Sequence, residues 1–331
     1  MKIAFTICSN NYLAHAKTLG DSFLENHPDK KFVIGLVDKY DASFDYTVFS
    51  KFIIILVETL QIPDFDELNK KYNIVELNTA VKPFYFHYLF KKFNAEKLLY
   101  IDPDILVTSH FDEVFTILDD KNIVITPHIC TPIDDEFAPT DYHTLRGGVF
   151  NLGFIALSHY EKVKDFLNWW GARVVKYGFM NFCKGMFYDQ IWINYVPVFY
   201  DNYSILKHPG YNMANWNLHE RQLSIIENKY FVNENYPLRF FHFSSYKFNK
   251  PEQICSYLTR FDFNNRPDLI ALFEDYRQKL FNNNVTTISN LNVFYYSKPS
   301  IEIKIRKSKS DMLFFKIAKR IKKAVKVLIN G

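Results

Sequence analysis

The chain has 331 residues, 48% hydrophobic and 23% charged, the make-up of a globular protein with room for one large α/β domain or two small ones and not of a disordered or fibrous chain. Its formal net charge of +4 is unevenly placed: residues 301–331 hold ten Lys or Arg against Glu302 and Asp311. The body is therefore mildly acidic, which argues against a nucleic-acid-binding fold, and Cys8, Cys130, Cys183 and Cys255 are too scattered to indicate a zinc site or a disulfide framework.

Residues 2–8 read as a first strand, and Ser9-Asn10-Asn11 as the turn into a helix over 12–25. A small polar turn between a first strand and its helix is a natural nucleotide-contact site, so Thr6, Asn10 and Asn11 are candidate substrate-binding residues. Residues 32–37 and 52–57 are two further apolar runs. Asn78-Thr79 offers a helix start, with Pro83 in the first turn and apolar residues continuing to Phe90. Strands separated by helical stretches predict a mainly parallel, doubly wound sheet through about residue 125.

The next run, Leu98-Leu99-Tyr100-Ile101-Asp102-Pro103-Asp104-Ile105-Leu106-Val107, is apolar apart from two carboxylates one residue apart. Buried acids must be paired, hydrogen-bonded or bound to a metal. Pro103 brings no amide hydrogen to a sheet ladder, so the strand is expected to end at Ile101 or Asp102, with both acids on the turn beyond it. Ligands of open α/β sheets bind outside such strand ends. A plain surface turn is the ordinary alternative.

Residues 123–125 form another short strand, and 131–148 a polar, irregular loop of a length that is usually functional. Strand 149–157 follows, then a helix over 161–177 whose Phe166, Trp169, Trp170 and Val174 have core spacing. Tyr188-Asp189-Gln190 opens a second helical run to Tyr195. His208, Tyr211, Asn212, Trp216 and Asn217 offer hydrogen-bond donors and a ring suited to sugar, and residues 240–245 are strand material. Residues 281–310 read as a linker. Beyond it, over 311–331, Phe314, Ile317, Ala318, Ile321, Ala324, Val325 and Leu328 recur on one helical face and lysines and arginines fill the other, the pattern of a basic amphipathic helix that lies on an anionic membrane surface or packs on a protein.

A D-x-D pair at a strand end suits Mg²⁺ or Mn²⁺ held against a diphosphate, since these ions prefer hard oxygen ligands and keep positions open for phosphate and water. With the other polar intrusions added, the chain resembles the GT-A fold glycosyltransferases, and most closely the retaining family 8 group and its bacterial relatives, over roughly residues 1–255. Residues 98–107 are similar to that family's hydrophobic-D-x-D-hydrophobic strand; Val149-Phe150-Asn151-Leu152-Gly153 to its F-N-x-G strand; Asp189-Gln190-Ile191-Trp192-Ile193-Asn194 to its D-Q-D-x-x-N helix start; and His242-Phe243-Ser244-Ser245-Tyr246-Lys247 to its H-F-x-G-x-x-K-P stretch. The resemblance implies Asp102, Asp104 and His242 as metal ligands, and Asp189 and Gln190 closest to the reacting carbon. It further implies Asn151 on the donor sugar, Lys82 with Tyr85 one turn on as the basic helix start, and Lys247 or Lys250 on the diphosphate. Ile191 stands where the family has a second Asp, and Ser245 where it has Gly.

The expected architecture is thus α/β, a GT-A domain over 1–280 with a nucleotide-binding half at 1–125 and an acceptor and sugar half at 126–280. The expected activity is metal-dependent transfer of a sugar from a nucleotide-sugar donor, of UDP-hexose type, to a glycan or lipid-linked acceptor with retention. The expected place is the cytoplasm, peripheral to the inner face of the cell membrane, since no signal peptide or spanning run is seen. Two alternatives stay open: a haloacid-dehalogenase-type phosphatase, which also places D-x-D after a strand but near the start of its domain, and a noncatalytic nucleotide- or glycan-binding module at a membrane.

Overall fold

Residues Lys2–Cys8 form strand β1 because alternate side chains have two apolar layers to enter: Ile3, Phe5 and Ile7 pack on one side, Ala4 and Cys8 on the other. The computed structural model describes residues 1–295. After β1 come helix α1 (Leu13–Asn26), strands β2 (Lys31–Leu36) and β3 (Ile53–Leu56), and helices α2 (Phe65–Lys71), α3 (Ile74–Ala80) and α4 (Lys82–Phe93). Next are β4 (Lys97–Ile101), β5 (Ile105–Val107), α5 (Asp112–Asp120), β6 (Ile123–Pro127), α6 (Asp141–Gly147), β7 (Phe150–Ser158) and α7 (Tyr160–Tyr177). A hairpin of β8 (Met180–Asn181) and β9 (Met186–Phe187) leads to α8 (Val196–Phe199), β10 (Tyr203–Ile205) and β11 (Met213–Ala214). A meander of β12 (Leu223–Ile226), β13 (Lys229–Val232) and β14 (Tyr236–Pro237) precedes β15 (Phe240–His242), α9 (Ile270–Asn282) and α10 (Val285–Ile288).

Seven strands make the central sheet in the order β10-β6-β7-β4-β1-β2-β3. Only β7 runs against its neighbours, β4 and β6; every other adjacent pair is parallel. This is the expected α/β architecture of a mainly parallel sheet flanked by helices. One apolar layer gathers residues of α1, α5 and α9, among them Phe23, Leu118 and Phe273; the other gathers α3, α4 and α7 around Leu77, Phe86 and Trp170.

The acidic run ends its strand at Ile101 with both acids on the turn beyond, as expected, and the structure adds where the chain goes next. β4 ends at Ile101, and β5 resumes after the acids in a second sheet of order β11-β15-β5. Asp102-Pro103-Asp104 is therefore the crossover between two sheets, as Pro103, having no amide hydrogen, permits. The helix expected from Asn78 is two helices: α3 starts at Asn73, whose side chain accepts from the backbone N–H groups of Val75 and Glu76, and α4 restarts with Pro83 in its first turn, where a missing N–H costs nothing. The run after Asp189 is a 3₁₀ segment over Gln190–Tyr195, and the loop 131–148 contains α6.

The linker expected over 281–310 is corrected for its first part. Val285 and Ile288 are buried in the layer below α1, the Phe294 N–H donates to Asp38 Oδ1 at 2.7 Å, and the Tyr295 hydroxyl donates to Glu58 Oε1 at 2.6 Å. The body thus extends through Tyr295; the rest of the linker and the amphipathic segment 311–331 lie outside the described residues. Among the described residues no helix is long and apolar enough to cross a membrane.

Candidate functional site

The pairing of β5 with β15 builds the acidic corner. Ile105 lies opposite His242 in antiparallel register, and the Phe243 N–H donates to the Asp104 carbonyl at 2.9 Å, so the imidazole comes beside the two carboxylates. His242 Nε2 is 3.1 Å from Asp104 Oδ1 and 3.8 Å from Asp102 Oδ2. One ligand atom from each of the three residues falls within a span of 4.8 Å. The carboxylates keep 29% and 20% of their side-chain surface, so they open onto space, whereas His242 is buried.

Strand β7 closes the corner from below. The Asp102 N–H donates to the Gly153 carbonyl at 2.8 Å, and the register between β6 and β7 slips after Ile125, so that Asn151 rather than Phe154 faces Thr126. That irregularity leaves Leu152, Gly153 and Phe154 without partners on β6, and Leu152 and Gly153 line the cavity beside Asn151. Gly153 is required by close approach: a Cβ there would stand 2.6 Å from His242 Nδ1 and 2.8 Å from Asn151 Oδ1. The glycine of the Asn151-Leu152-Gly153 run thus makes room for the imidazole.

Burial and charge act differently on the three groups. Burial raises the Asp102 pKa against the pull of Lys82 and His242. At Asp104 burial also works upward, but the charge and hydrogen bond of His242 outweigh it and hold the carboxyl below its ordinary value. For His242, burial works downward and the Asp104 and Asp102 charges prevail, raising the imidazole. Two carboxylates and an imidazole without a cationic side chain between them are a donor set suited to a divalent cation of the Mg²⁺ or Mn²⁺ class.

Next to the corner lies a buried ion pair: Lys82 Nζ is 2.7 Å from Asp189 Oδ2, with side chains 1% and 3% exposed. Lys82 also donates to the Leu152 carbonyl at 3.1 Å and sits 4.1 Å from the centre of the Tyr100 ring, whose hydroxyl donates to Asp102. Burial raises the Asp189 pKa and Lys82 opposes it. Gln190 is a clamp: its Oε1 accepts from the Leu152 N–H at 2.9 Å and from Asn151 Nδ2 at 3.3 Å, and its Nε2 donates to the Gly147 carbonyl at 2.8 Å. Asn151 Nδ2 also donates to His128 Nε2 at 3.2 Å. These groups line one cavity of 650 Å³ with Asp102, Asp104, His128, Thr144, Trp216, His242 and Tyr257.

Of the sequence-derived candidates, the fold brings Asp102, Asp104, His242, Lys82, Asn151, Asp189 and Gln190 to this cavity. The others lie elsewhere. Thr6 is enclosed within β1. Asn10 is consumed by the protein: its Nδ2 donates to the carbonyls of Lys39 (2.8 Å) and Asn292 (3.1 Å), and its Oδ1 accepts from the Tyr46 hydroxyl at 2.7 Å. Asn11 is half-buried on the same turn, outside the cavity lining. Tyr85 is a core residue that donates to the Ile55 carbonyl at 3.0 Å. Asn212 is fully buried and donates to Thr126 Oγ1 at 3.3 Å. Lys247 and Lys250 are exposed and outside the cavity lining, although the Lys247 charge reaches His15.

Of two histidines that no sequence pattern singled out, His128 lines the cavity and His15 lies outside its lining, within reach of the Asp104 charge. His128 follows Pro127 at the end of β6, and a polar ring directly after a buried strand was the available signal. His15 stacks on Tyr12 at 4.2 Å, one helical turn apart, and burial pulls its pKa down to about 4 against the charge of Asp104.

No family model matches the chain. Two uncharacterized Bacillus subtilis proteins are similar: YfnF, 26% identical over 157 residues (46% of this chain, 50% of YfnF), and YfnD, 24% identical over 183 residues (54% of this chain, 57% of YfnD). The chain spans about half the length of these curated relatives. Among solved structures it is similar to the galactosyltransferase LgtC in complex with donor and acceptor sugar analogues, at a TM-score of 0.47 and 14% identity over 85% of this chain and 96% of that one. It is also similar to the glycosyltransferase GlyE of Streptococcus pneumoniae TIGR4, at 0.47 and 15% over 88% and 66%, and to the bifunctional glycosyltransferase WbbM, at 0.46 and 11% over 85% and 51%.

Proposed function

We propose that the chain is a GT-A glycosyltransferase that moves a hexose from a nucleotide-sugar donor of UDP type to an acceptor hydroxyl, with retention, in the synthesis of a surface glycan or glycolipid. The observation that carries this reading is the joining, on one cavity, of the Asp102-Asp104-His242 cluster to the buried Lys82–Asp189 pair and the Gln190 clamp. Mn²⁺ or Mg²⁺ held by Asp102, Asp104 and His242 would neutralise negative charge on a departing diphosphate.

The chain's own groups supply the remaining features. Lys82 is a fixed cation one residue layer below the corner, aimed by Asp189 and by the Leu152 carbonyl, and it stabilises charge without reorganising. Asp189 is buried and ion-paired, which makes it a poor nucleophile; this supports attack from the same face as the departing group over a covalent intermediate on Asp189. Gln190 ties the end of α6 to β7, so the sugar pocket has a rigid floor. The acceptor is proposed to be a glycan or lipid-linked glycan met at the inner face of the cell membrane, with 311–331 as a peripheral anchor.

The test is a panel of nucleotide sugars incubated with the protein in Mn²⁺ and in chelator. Turnover of one donor is expected only with metal. Asp104→Asn is expected to reduce it about 100-fold or more, the several kcal/mol that charge stabilisation at a leaving group supplies. Release of phosphate from simple phosphomonoesters with no donor turnover would instead favour the phosphatase reading.

A further inference from the structure

The wall of the cavity formed by α6 has two unlike faces. Thr144 and Gly147 turn inward and line the cavity, and the Gly147 carbonyl is held by Gln190. Tyr142, Leu145 and Arg146, at i, i+3 and i+4, share the outer face. On this face and in the segments next to it, Phe137, Tyr142, Leu145, Val149, Met180 and Phe182 are between 41% and 65% exposed. Tyr142 and Leu145 are on α6, Phe182 in the β8–β9 hairpin lines the cavity, and Arg146 spans the rings of Phe182 and Tyr142, so helix and hairpin present their apolar groups together at the cavity mouth.

A cation sits among these rings. The Arg146 guanidinium lies 4.0 Å from the centre of the Phe182 ring and 5.2 Å from that of Tyr142. Among the described residues no carboxylate pairs with it. An arginine held between exposed aromatic rings, with leucine beside it, presents an apolar body and a charge that has no protein counter-ion.

We infer that the outer face of α6 and the tip of the β8–β9 hairpin form a membrane-contacting lip, in which Phe137, Tyr142, Leu145 and Phe182 enter the headgroup–acyl boundary of an anionic bilayer and Arg146 meets lipid phosphate. Charge complementarity selects this occupant. Arg146 calls for an anion beside an apolar phase, and the same chain carries a second basic, amphipathic stretch at 311–331 that one anionic surface would also satisfy. A protein partner would use similar rings but gives no reason for both features. The inference rests on the proposed transferase only for its meaning: the lip would set the cavity mouth against the surface where a lipid-linked acceptor is embedded.

The experiment places a reporter at the lip of the full chain. Leu145→Trp is mixed with vesicles of phosphatidylcholine and phosphatidylglycerol, with or without brominated acyl chains. A blue shift and bromine quenching beyond that of the unsubstituted chain are expected, and Arg146→Glu should weaken binding to the anionic vesicles about fivefold or more. Leu145 is exposed, so Leu145→Trp should melt with the parent; Arg146 is half-buried between two rings, so Arg146→Glu is compared well below its own melting temperature. Sedimentation with vesicles without extra quenching at position 145 would overturn the inference, since another part of the chain would then be the contact. A blue shift at position 145 with micelle-dispersed lipid phosphate but none with vesicles would also overturn it, in favour of a soluble lipid-linked ligand. Metal-dependent donor hydrolysis is measured on the same preparations; its absence with quenching intact would count against the transferase and not against the lip.

Discussion

Two short polar turns leave the carboxyl ends of adjacent parallel strands: Ser9-Asn10-Asn11 after β1 and Asp102-Pro103-Asp104 after β4. By position alone both belong to the region where α/β sheets bind ligands. Their polar groups are spent differently. Around Asn10 every side-chain partner is another part of the protein, and Asp38 accepts from the N–H groups of Asn10, Lys39 and Phe294. Around Asp102 and Asp104 the partners are titratable groups, and both carboxylates still open onto a cavity. A buried polar residue binds ligand only with the hydrogen-bonding capacity the fold leaves it. The first turn holds Asn292 and the neighbouring Asp38 holds Phe294 to the body; the second is free to meet something else.

The comparison is tested most severely at Lys82, which belongs to the second region yet is wholly buried. Lys82→Met leaves the Asp189 carboxylate buried without its partner and should cost about 3–5 kcal/mol of stability. Adding Asp189→Leu removes the orphaned charge and should restore most of that stability, read as the urea midpoint. Donor turnover should stay lost in both. If the double variant regains turnover with its stability, the pair is a fold-holding ion pair, and the distinction between the two regions fails at its centre.

Asn10→Ala is the counterpart in the first region. It removes the acceptor of the Tyr46 hydroxyl and the donor to two carbonyls, a loss of about 1–3 kcal/mol. Turnover per folded molecule should be unchanged, because Asn10 has nothing left to offer a nucleotide. A loss of turnover with an unchanged urea midpoint would return Asn10 to the binding site.

What could be read in advance follows from the same distinction. The D-x-D corner was legible because two acids and a proline interrupt an apolar run, and such an interruption is too costly to be idle. The resemblance placed His242 with it, and the antiparallel register of β5 and β15 is the physical means by which they meet. The fate of Asn10 was not legible: its acceptors are backbone carbonyls of Lys39 and Asn292, which no local pattern announces. Nor was Tyr85, whose polar tip ends on the Ile55 carbonyl of a neighbouring strand. The linker was misplaced because Asn282-Asn283-Asn284 looks like a break, yet Val285 and Ile288 beyond it fill the core. The His128 ring had only its place after a buried strand to mark it, which names no partner; the slip of β7 makes it the acceptor of Asn151.

The smallest effect is one of pH. Burial pulls His27, His15 and His128 down to about 4. In His27 both ring nitrogens are spent: Nε2 accepts from the Phe111 N–H at 2.9 Å, so the hydrogen is on Nδ1, which donates to the Phe23 carbonyl at 3.1 Å. A histidine of ordinary pKa, about 6.5, takes up a proton in the unfolded chain before it can in the fold. Between about pH 6.5 and 4 the unfolded state therefore binds more protons, and stability, complete above that window, falls as the pH falls through it, by at most about 1.4 kcal/mol per pH unit for each such group. His242 has the opposite sign: its pKa is raised by Asp104 and Asp102, so its contribution is present in acid and fades as the pH rises through its folded value. His87 and His208 are lowered as well, so the histidines together work toward a urea midpoint that drops from pH 6.5 to 4.5, while the raised carboxyls of Asp38, Asp102 and Asp189 work against it. His27→Leu should be less stable at pH 7, because the Phe111 N–H loses its acceptor, and should show a shallower drop. An equal drop in the variant would mean that His27 titrates alike in both states and that its hydrogen bonds do not hold it neutral.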